Sequence, residues 1–563
     1  MSSVTNLLTA LLDRAEHHPH ERALLQKLRG KWVETSWQAY AQNVADVAEG
    51  LQGIGVSAGQ VVLLVMDNRP TLAYLDFATQ SLGGVTVLVP PETRHDDVRE
   101  LVGRLRPSLV VIQDIEWVDA LLPAVPTGAR MVHVETTGIA AYDDDRLLDY
   151  DSLRERGAAT GSSLDALRSR AAACASDGVA TLSVSTGAHG RLRTFSFTHG
   201  QLLAAAQVVL RRFPLKPGEF VLSQVSLGVT VERALSLHSG VLSGAVVAFP
   251  ENSSVAAAAA AEILPHFVHA PTTLLENLVL TSRQRLERNR GVKRLLARAW
   301  LRSQSAANGT GGLLHNLVGR FIVRQLGLSG ARVLVVSDVS VTGSTRAYLQ
   351  ALRLPVVDAY TVAACAVPVL LTTDVGAGYT EDVEGLESEI SQLGRLRIRG
   401  PLISNEAVTT AGWYDTGDAA ERDGNAIVIH GPATLCESVG SVRRLSLEVT
   451  TSKFIRRADI VELDARIHLL IEIDTDAIGI WAREKKIKFR SVEAVVDDEQ
   501  VQQLIAAEVR AAIGRLGVAV RLGSTTLLRR PLSAAADNLT VTGKLRVASL
   551  DPLPDGVALT ITY

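Results

Sequence analysis

VVLLVMDNRPTLAYLDFATQSLGGVTVLV, residues 61–89, decides how this chain folds. VVLLVMD (61–67) is an apolar run too short for a core helix and rich in β-branched residues, which predicts a buried strand. A helix near 70–83 follows, and VTVLV (85–89) is a second buried strand. Strands apolar on both faces, with a helix between them, imply parallel pairing in a sheet covered on both sides.

The rhythm continues outward. Ser36 to Leu51 predicts a helix with Tyr40, Val44, Val47 and Leu51 on one face, and LVVIQ (109–113) another strand. The same alternation returns over 200–250, in ARVLVVS (331–337) and in LPVVDAY (354–360). AAAAAAE (256–262) is a structural helix, and SAANGTGG (305–312) a surface loop. From about 431 the segments shorten: IHLLIEI (467–473), a helix over 498–515, then VAVRLGSTTLL. The expected architecture is α/β: a large body of mostly parallel sheets covered by helices (1–430) and a small α+β C-terminal cap domain (431–563).

A chain of 563 residues exceeds one ordinary domain. Its net charge of −3 gives no global attraction for nucleic acid. Cys174, Cys365 and Cys436 fit no disulfide framework or metal spacing. The start lacks the pattern of a secretory signal, and Leu7, Leu8, Leu11 and Leu12 recur at helical spacing. A soluble cytoplasmic protein is expected. One segment departs from the even charge: over 283–302, Arg285, Arg288, Lys293, Arg294 and Arg298 interleave with Leu295, Leu296 and Trp300. It reads either as a solvated helix packed by its Leu/Trp side or as a peripheral contact with an anionic membrane.

STGAHGRLRTFSFTHG (185–200) follows an apolar segment and precedes a helix starting near His199, a setting in which backbone N–H groups can face phosphates. With its second half, the loop resembles that of the AMP-forming long-chain acyl-CoA synthetases of the adenylate-forming superfamily, T-S-G-T-T-G-x-P-K-G-V-x-L-T-H. Gly187, Gly190, Thr198 and His199 match, and Arg193 stands for the family lysine. VTVERALSL (229–237) is similar to H-x-x-E-R, keeping Glu232 and Arg233 but with Val229 for the histidine; HFVHAPTTLLENL (266–278) is similar to the V-P-R-V stretch, with Thr272 for the arginine. GWYDTGD (412–418) is similar to G-W-F-x-T-G-D, and NLTVTGKLR (538–546) to L-T-P-T-x-K-x-R. The matches run in order along almost the whole chain. They imply that Asp418 receives ribose hydroxyls, Tyr360 stacks on adenine, Gly187, Gly190, Arg193 and Thr198 attend the phosphates, and Lys544 is the catalytic lysine of the cap. ATP/AMP, Mg²⁺ and CoA would be the cofactors and a long-chain acyl group the ligand, its pocket lying between the helix after 185–200 and the 331–364 region.

The departures bear on chemistry. Adenylation develops charge on phosphate oxygens, which a metal and cations must stabilise. Ala363 and Ala364 stand where the family has Thr-Glu, so the metal-binding carboxylate is absent at Ala364. Pro432 occupies the hinge arginine's place and removes a cation, an N–H and φ freedom together. Ser337, Asp338, Val339 and Ser340 replace G-G-A-P, and ESVGSVRRLSLE (437–448) lacks the glycine pair of a pantetheine channel. The joint loss predicts a relative retained as a binding or regulatory scaffold for an acyl chain, a nucleotide or a protein partner. The alternative is an active ligase with substitute residues.

Overall fold

The computed structural model describes residues 4–186, 192–252, 255–272, 274–276, 278–279, 282, 313–337, 343–373, 378–409, 411–439, 441–463, 466–485, 487, 492–516, 522–532, 550 and 554–559. The decisive stretch forms the strand Val61–Val65, the helix Pro70–Ser81 and the strand Val85–Val89, the two strands pairing in parallel from Val61↔Val85 to Val65↔Val89. They sit inside a seven-stranded sheet ordered Leu147–Asp149, Arg130–His133, Leu109–Ile112, Val61–Val65, Val85–Val89, Val179–Thr186, Leu192–Thr198, with only the last pair antiparallel. Alternation assigns the faces: Val62 and Leu64 enter one core, Leu63 and Val65 another. The predicted helix from Ser36 is Trp37–Gly53, because the Ser36 hydroxyl accepts the Ala39 N–H and so caps the helix from outside.

A nine-stranded sheet lies across from it. Its order is Glu381–Asp382, Leu370–Thr372, Val356–Tyr360, Val333–Ser337, Phe267–Pro271, Phe220–Leu222, Val246–Phe249, Arg22–Leu28, Lys31–Ser36, antiparallel only toward its two edges. The largest core fills the space between the sheets. Into it go the helices Leu7–His17, Trp37–Gly53, Pro70–Ser81 and His199–Arg212, together with Phe267, Val335 and Val357 from the nine-stranded sheet. Separate apolar clusters cover the outer faces.

A four-stranded antiparallel sheet (Glu387–Ile390, Arg395–Arg399, Tyr414–Asp423, Ala426–Pro432) completes the body. Beyond it Ile455–Leu463, Arg466–Ile473, Ser524–Leu528 and Gly556–Leu559 form a further sheet, packed on the helices Val442–Val449 and Glu499–Leu516 around a core of its own. This is the small α+β unit read from the shortened segments. The loop 305–312 and the basic segment with Arg285, Arg288, Lys293, Arg294 and Arg298 lie outside the described residues.

The layer between the two main sheets holds a buried charge. Arg233 Nη1 is 3.7 Å from Asp76 Oδ2, both side chains fully buried, and Arg233 Nη2 donates to Thr181 Oγ1 at 2.9 Å. Asp76 Oδ1 in turn accepts from Gln80 Nε2 and Thr86 Oγ1 at 2.7 and 2.6 Å. Burial pulls the Arg233 guanidinium below its ordinary range, and Asp76 pulls it back up. Removing one partner of such a pair strands the other. Asp76→Ala is therefore expected to lower the unfolding free energy by about 3–5 kcal/mol, read as a lower urea midpoint.

Candidate functional site

The site residues are brought together where two sheets meet. Tyr360 ends the strand Val356–Tyr360 of the nine-stranded sheet, and Asp418 lies on Tyr414–Asp423 of the small antiparallel sheet. The Tyr360 hydroxyl donates to Asp418 Oδ2 at 2.6 Å. Gly417 precedes Asp418 at φ +83°, a backbone state that L side chains rarely adopt. Burial, then the Asp418 carboxylate, push the Tyr360 phenol well above its usual range, so at neutral pH it is a donor and fixes the carboxylate's orientation. The residues that the resemblance assigns to adenine and ribose are thus hydrogen-bonded neighbours from distant parts of the chain.

A second polar group backs this pair. Tyr379 lies 6.0 Å from Tyr360, ring to ring, and its hydroxyl donates to Asp358 Oδ1 at 3.3 Å. Arg443, from the helix Val442–Val449, donates to the Tyr379 hydroxyl at 3.2 Å and to Asp358 Oδ2 at 3.4 Å, its guanidinium 5.1 Å from the Tyr379 ring centre. In the sequence Arg443 is only one residue of ESVGSVRRLSLE, the run that lacks a glycine pair. Asp358 was the available signal for its contact, a lone carboxylate inside the apolar run VVDAY.

The remaining candidates fall into three groups. Thr198 caps the helix His199–Arg212: its Oγ1 accepts the Gln201 N–H at 3.2 Å while Gln201 Oε1 accepts the Thr198 N–H at 3.0 Å. Its hydroxyl serves the helix. Arg193 is exposed on the strand Leu192–Thr198, its guanidinium 5.4 Å from the Phe195 ring, and Phe195 meets Tyr414 edge-on at 6.4 Å. Gly187, Gly190 and Lys544 lie outside the described residues.

Ala364 stands where the resemblance places a metal-binding glutamate. Ala364 is fully buried, and its carbonyl accepts the Ser404 N–H at 2.8 Å, which closes the turn after Tyr360 against the loop following the strand Arg395–Arg399. A methyl group supplies no oxygen to a hard cation, which takes oxygen ligands. Among the described residues no three His, Cys, Asp or Glu side chains are grouped to hold a metal. Mg²⁺ does not fit here as it would beside a glutamate. Next to it Cys365 is buried, its thiol pushed up to about 12 by desolvation, which keeps it protonated and inert. Pro432 is the last residue of Ala426–Pro432, paired across from Asp418, and the helix Ala433–Val439 follows without a linker.

Comparison with known proteins bears on the family and the fold. The family described as "AMP-binding enzyme" matches residues 11–390. The long-chain-fatty-acid–CoA ligase FadD15 of Mycobacterium tuberculosis is 26% identical over 558 residues, covering 91% of this chain and 89% of its own, and its Mycobacterium bovis counterpart matches equally. Among solved structures, the A domain of carboxylic acid reductase from Segniliparus rugosus, in complex with AMP and a co-purified carboxylic acid, superimposes with a TM-score of 0.72 at 14% identity, over 97% of this chain and 92% of that one. A benzoate CoA ligase from Burkholderia xenovorans LB400 gives 0.70 at 14% identity, over 96% and 98%. At such identities the structural likeness establishes the fold. Among the described residues no helix is long and apolar enough to cross a membrane.

The buried Asp358 makes the Arg443 contact pH-dependent. Desolvation raises the Asp358 carboxyl above its usual range, and Arg443 is the largest influence drawing it back. A carboxyl raised in the folded state favours folding while protonated and loses that contribution as pH rises through its folded value. Without Arg443 the value rises further. Arg443→Met is expected to cost about 3 kcal/mol at about pH 7 and clearly less at about pH 4, measured by urea unfolding at both.

Proposed function

The chain belongs to the AMP-binding enzyme family, and on that premise we propose that it is a catalytically impaired relative of the AMP-forming fatty acyl-CoA ligases, retained as a binding or regulatory scaffold. The observation that carries this reading is Ala364, buried and bonded through its backbone where the resemblance requires a metal-binding glutamate. Transfer onto the α-phosphorus depends on positioning and on neutralising charge at the phosphate oxygens. A site without that carboxylate keeps the means to recognise a nucleoside and loses the means to activate its phosphates. Asp418, oriented by Tyr360, is suited to receive the two hydroxyls of a ribose. An acyl chain is the other expected ligand.

The hinge supports the same conclusion. We place the boundary between body (1–430) and cap (431–563) at His430–Pro432. Pro432 fixes φ at the position where the family rotates its cap, and Arg443 holds the segment beyond it against Asp358 and Tyr379. A cap so held is suited to one arrangement, whereas the two-step reaction uses two.

The second reading, an active acyl-CoA ligase with substitute residues, is favoured by the Tyr360–Asp418 pair and by the similarity to FadD15 over nine-tenths of the chain. Lys544 would then stabilise the developing charge.

Titration of the purified protein with ATP, with and without Mg²⁺, alongside pyrophosphate release over a panel of long-chain acids, separates the two. The expected outcome is no acid-dependent pyrophosphate release, with nucleotide binding indifferent to Mg²⁺ and weakened at least tenfold by Asp418→Ala, as loss of a charged hydrogen-bond acceptor implies. Turnover abolished by Lys544→Ala and by Asp418→Ala would overturn the scaffold reading.

A further inference from the structure

Glu232, His269 and Ser337 come from three separate elements and meet in one line. His269 Nδ1 is 2.6 Å from Glu232 Oε2, and His269 Nε2 is 2.8 Å from Ser337 Oγ. All three side chains are buried. With the carboxylate on Nδ1, the imidazole proton sits there and donates to Glu232, which leaves Nε2 as the acceptor of the Ser337 hydroxyl proton. Acid, imidazole and hydroxyl in that order, each within hydrogen-bond reach, constitute the arrangement by which a serine is made a nucleophile.

The fold holds the three in place from behind. His269 lies on Phe267–Pro271 and Ser337 on the neighbouring strand Val333–Ser337, in parallel register with Pro271↔Ser337. Both share the inward face with Phe267 and Val335. Gln224 Nε2 donates to the His269 carbonyl at 2.9 Å, and Thr272 Oγ1 donates to the Ser337 carbonyl at 3.1 Å. Ser337 is the last residue of its strand, at the carboxyl end where open parallel sheets present groups to ligands. It lies across from Ala359, next to the Tyr360 that ends the adjacent strand. None of these contacts involves Asp418, Ala364 or the cap.

We propose that Ser337, His269 and Glu232 form an acyl-transfer centre that hydrolyses a carboxylic ester or thioester with an apolar acyl group. The apolar preference follows from Phe267, Val335, Val357 and Ala359, buried residues of the strands that carry His269 and Ser337 and of the strand beside them. In the first half-reaction Ser337 Oγ bonds to the acyl carbon and gives its proton to His269 Nε2. The bond from the acyl carbon to the leaving oxygen or sulfur breaks, and the alcohol or thiol departs with that proton. Water then attacks the acyl-serine and passes a proton to Nε2; the acid leaves, and the proton returns to Ser337. Ester and water become acid and alcohol, or acid and thiol, and nothing is oxidised or reduced. Ser337 and His269 are the catalytic residues. Glu232 is a positioning residue that orients the ring and stabilises the imidazolium. The reaction needs neither ATP nor a metal, so it stands or falls separately from the scaffold reading.

The full-length protein, without ATP, is treated with a short-chain alkyl fluorophosphonate and mapped by peptide mass spectrometry, and is assayed on p-nitrophenyl octanoate and on octanoyl-CoA. The expected result is a single adduct on Ser337 and hydrolysis of at least one substrate, the ester and thioester arms telling which leaving group is accepted. His269→Gln is expected to slow both labelling and hydrolysis roughly 10³-fold. Glu232→Gln is expected to slow both and to shift the pH midpoint of labelling, a change that lost packing alone does not produce. Should Ser337→Ala fail to fold, labelling of the wild type and its dependence on His269 still decide. No adduct on Ser337, an adduct formed equally fast in His269→Gln, or labelling without hydrolysis of either substrate would overturn the proposal.

Discussion

The neighbouring residues Glu232 and Arg233 have to be satisfied on opposite sides of one short helix, and much of the body is arranged around that requirement. Both are fully buried between the two main sheets, where an unpaired charge is costly. Arg233 faces the seven-stranded sheet, reaching Thr181 on one of its strands and Asp76 on the helix beside it. Glu232 faces the nine-stranded sheet and takes its partner from His269. The 3.7 Å separation of Arg233 and Asp76 is a Coulombic contact without a direct hydrogen bond, so its worth rests on the surrounding low dielectric and on Gln80 and Thr86 holding Asp76. The two sheets are thereby registered against each other by charge as well as by apolar packing.

The same requirement links the scaffold to chemistry. Glu232, paired in the interior with His269, is available to orient the imidazole, and the imidazole lies beside a serine at a strand end. The Tyr360–Asp418 pair, proposed for nucleotide recognition, is built in another way, by joining the end of the nine-stranded sheet to the small antiparallel sheet. Two polar centres therefore lie at neighbouring strand ends of one sheet with separate supporting groups.

The cap is tied to this region by Arg443. Its guanidinium lies on the Tyr379 ring and bonds Asp358, so a residue beyond the hinge supports the strand that ends in Tyr360. Pro432 restricts the backbone at the same junction. Arg443 and Pro432 thus act on the same junction, the one through its contacts with Tyr379 and Asp358 and the other through its fixed φ.

Periodicity and turn chemistry made most of the fold legible. Apolar runs of about five residues between helical segments specify parallel strands because only burial on both faces tolerates them, and Val61–Val65, Val85–Val89 and Val356–Tyr360 lie within or at the predicted runs. Ser36 moved a helix start by one residue because a cap belongs to the chain before the helix. The resemblance of GWYDTGD and the implied role of Tyr360 singled out Asp418 and Tyr360 as candidate site residues. Their hydrogen bond was not readable, since 58 residues separate them and only sheet packing brings them together. Ser337 stood out only as a departure from a family motif, and His269, 68 residues away, not at all. Local sequence determined the elements, the two-part architecture and the absence of a carboxylate at Ala364, because these depend on side-chain type and near neighbours. Tertiary structure alone decided which polar groups meet, because contacts at the ends of adjacent parallel strands join residues that crossover helices keep far apart in the chain.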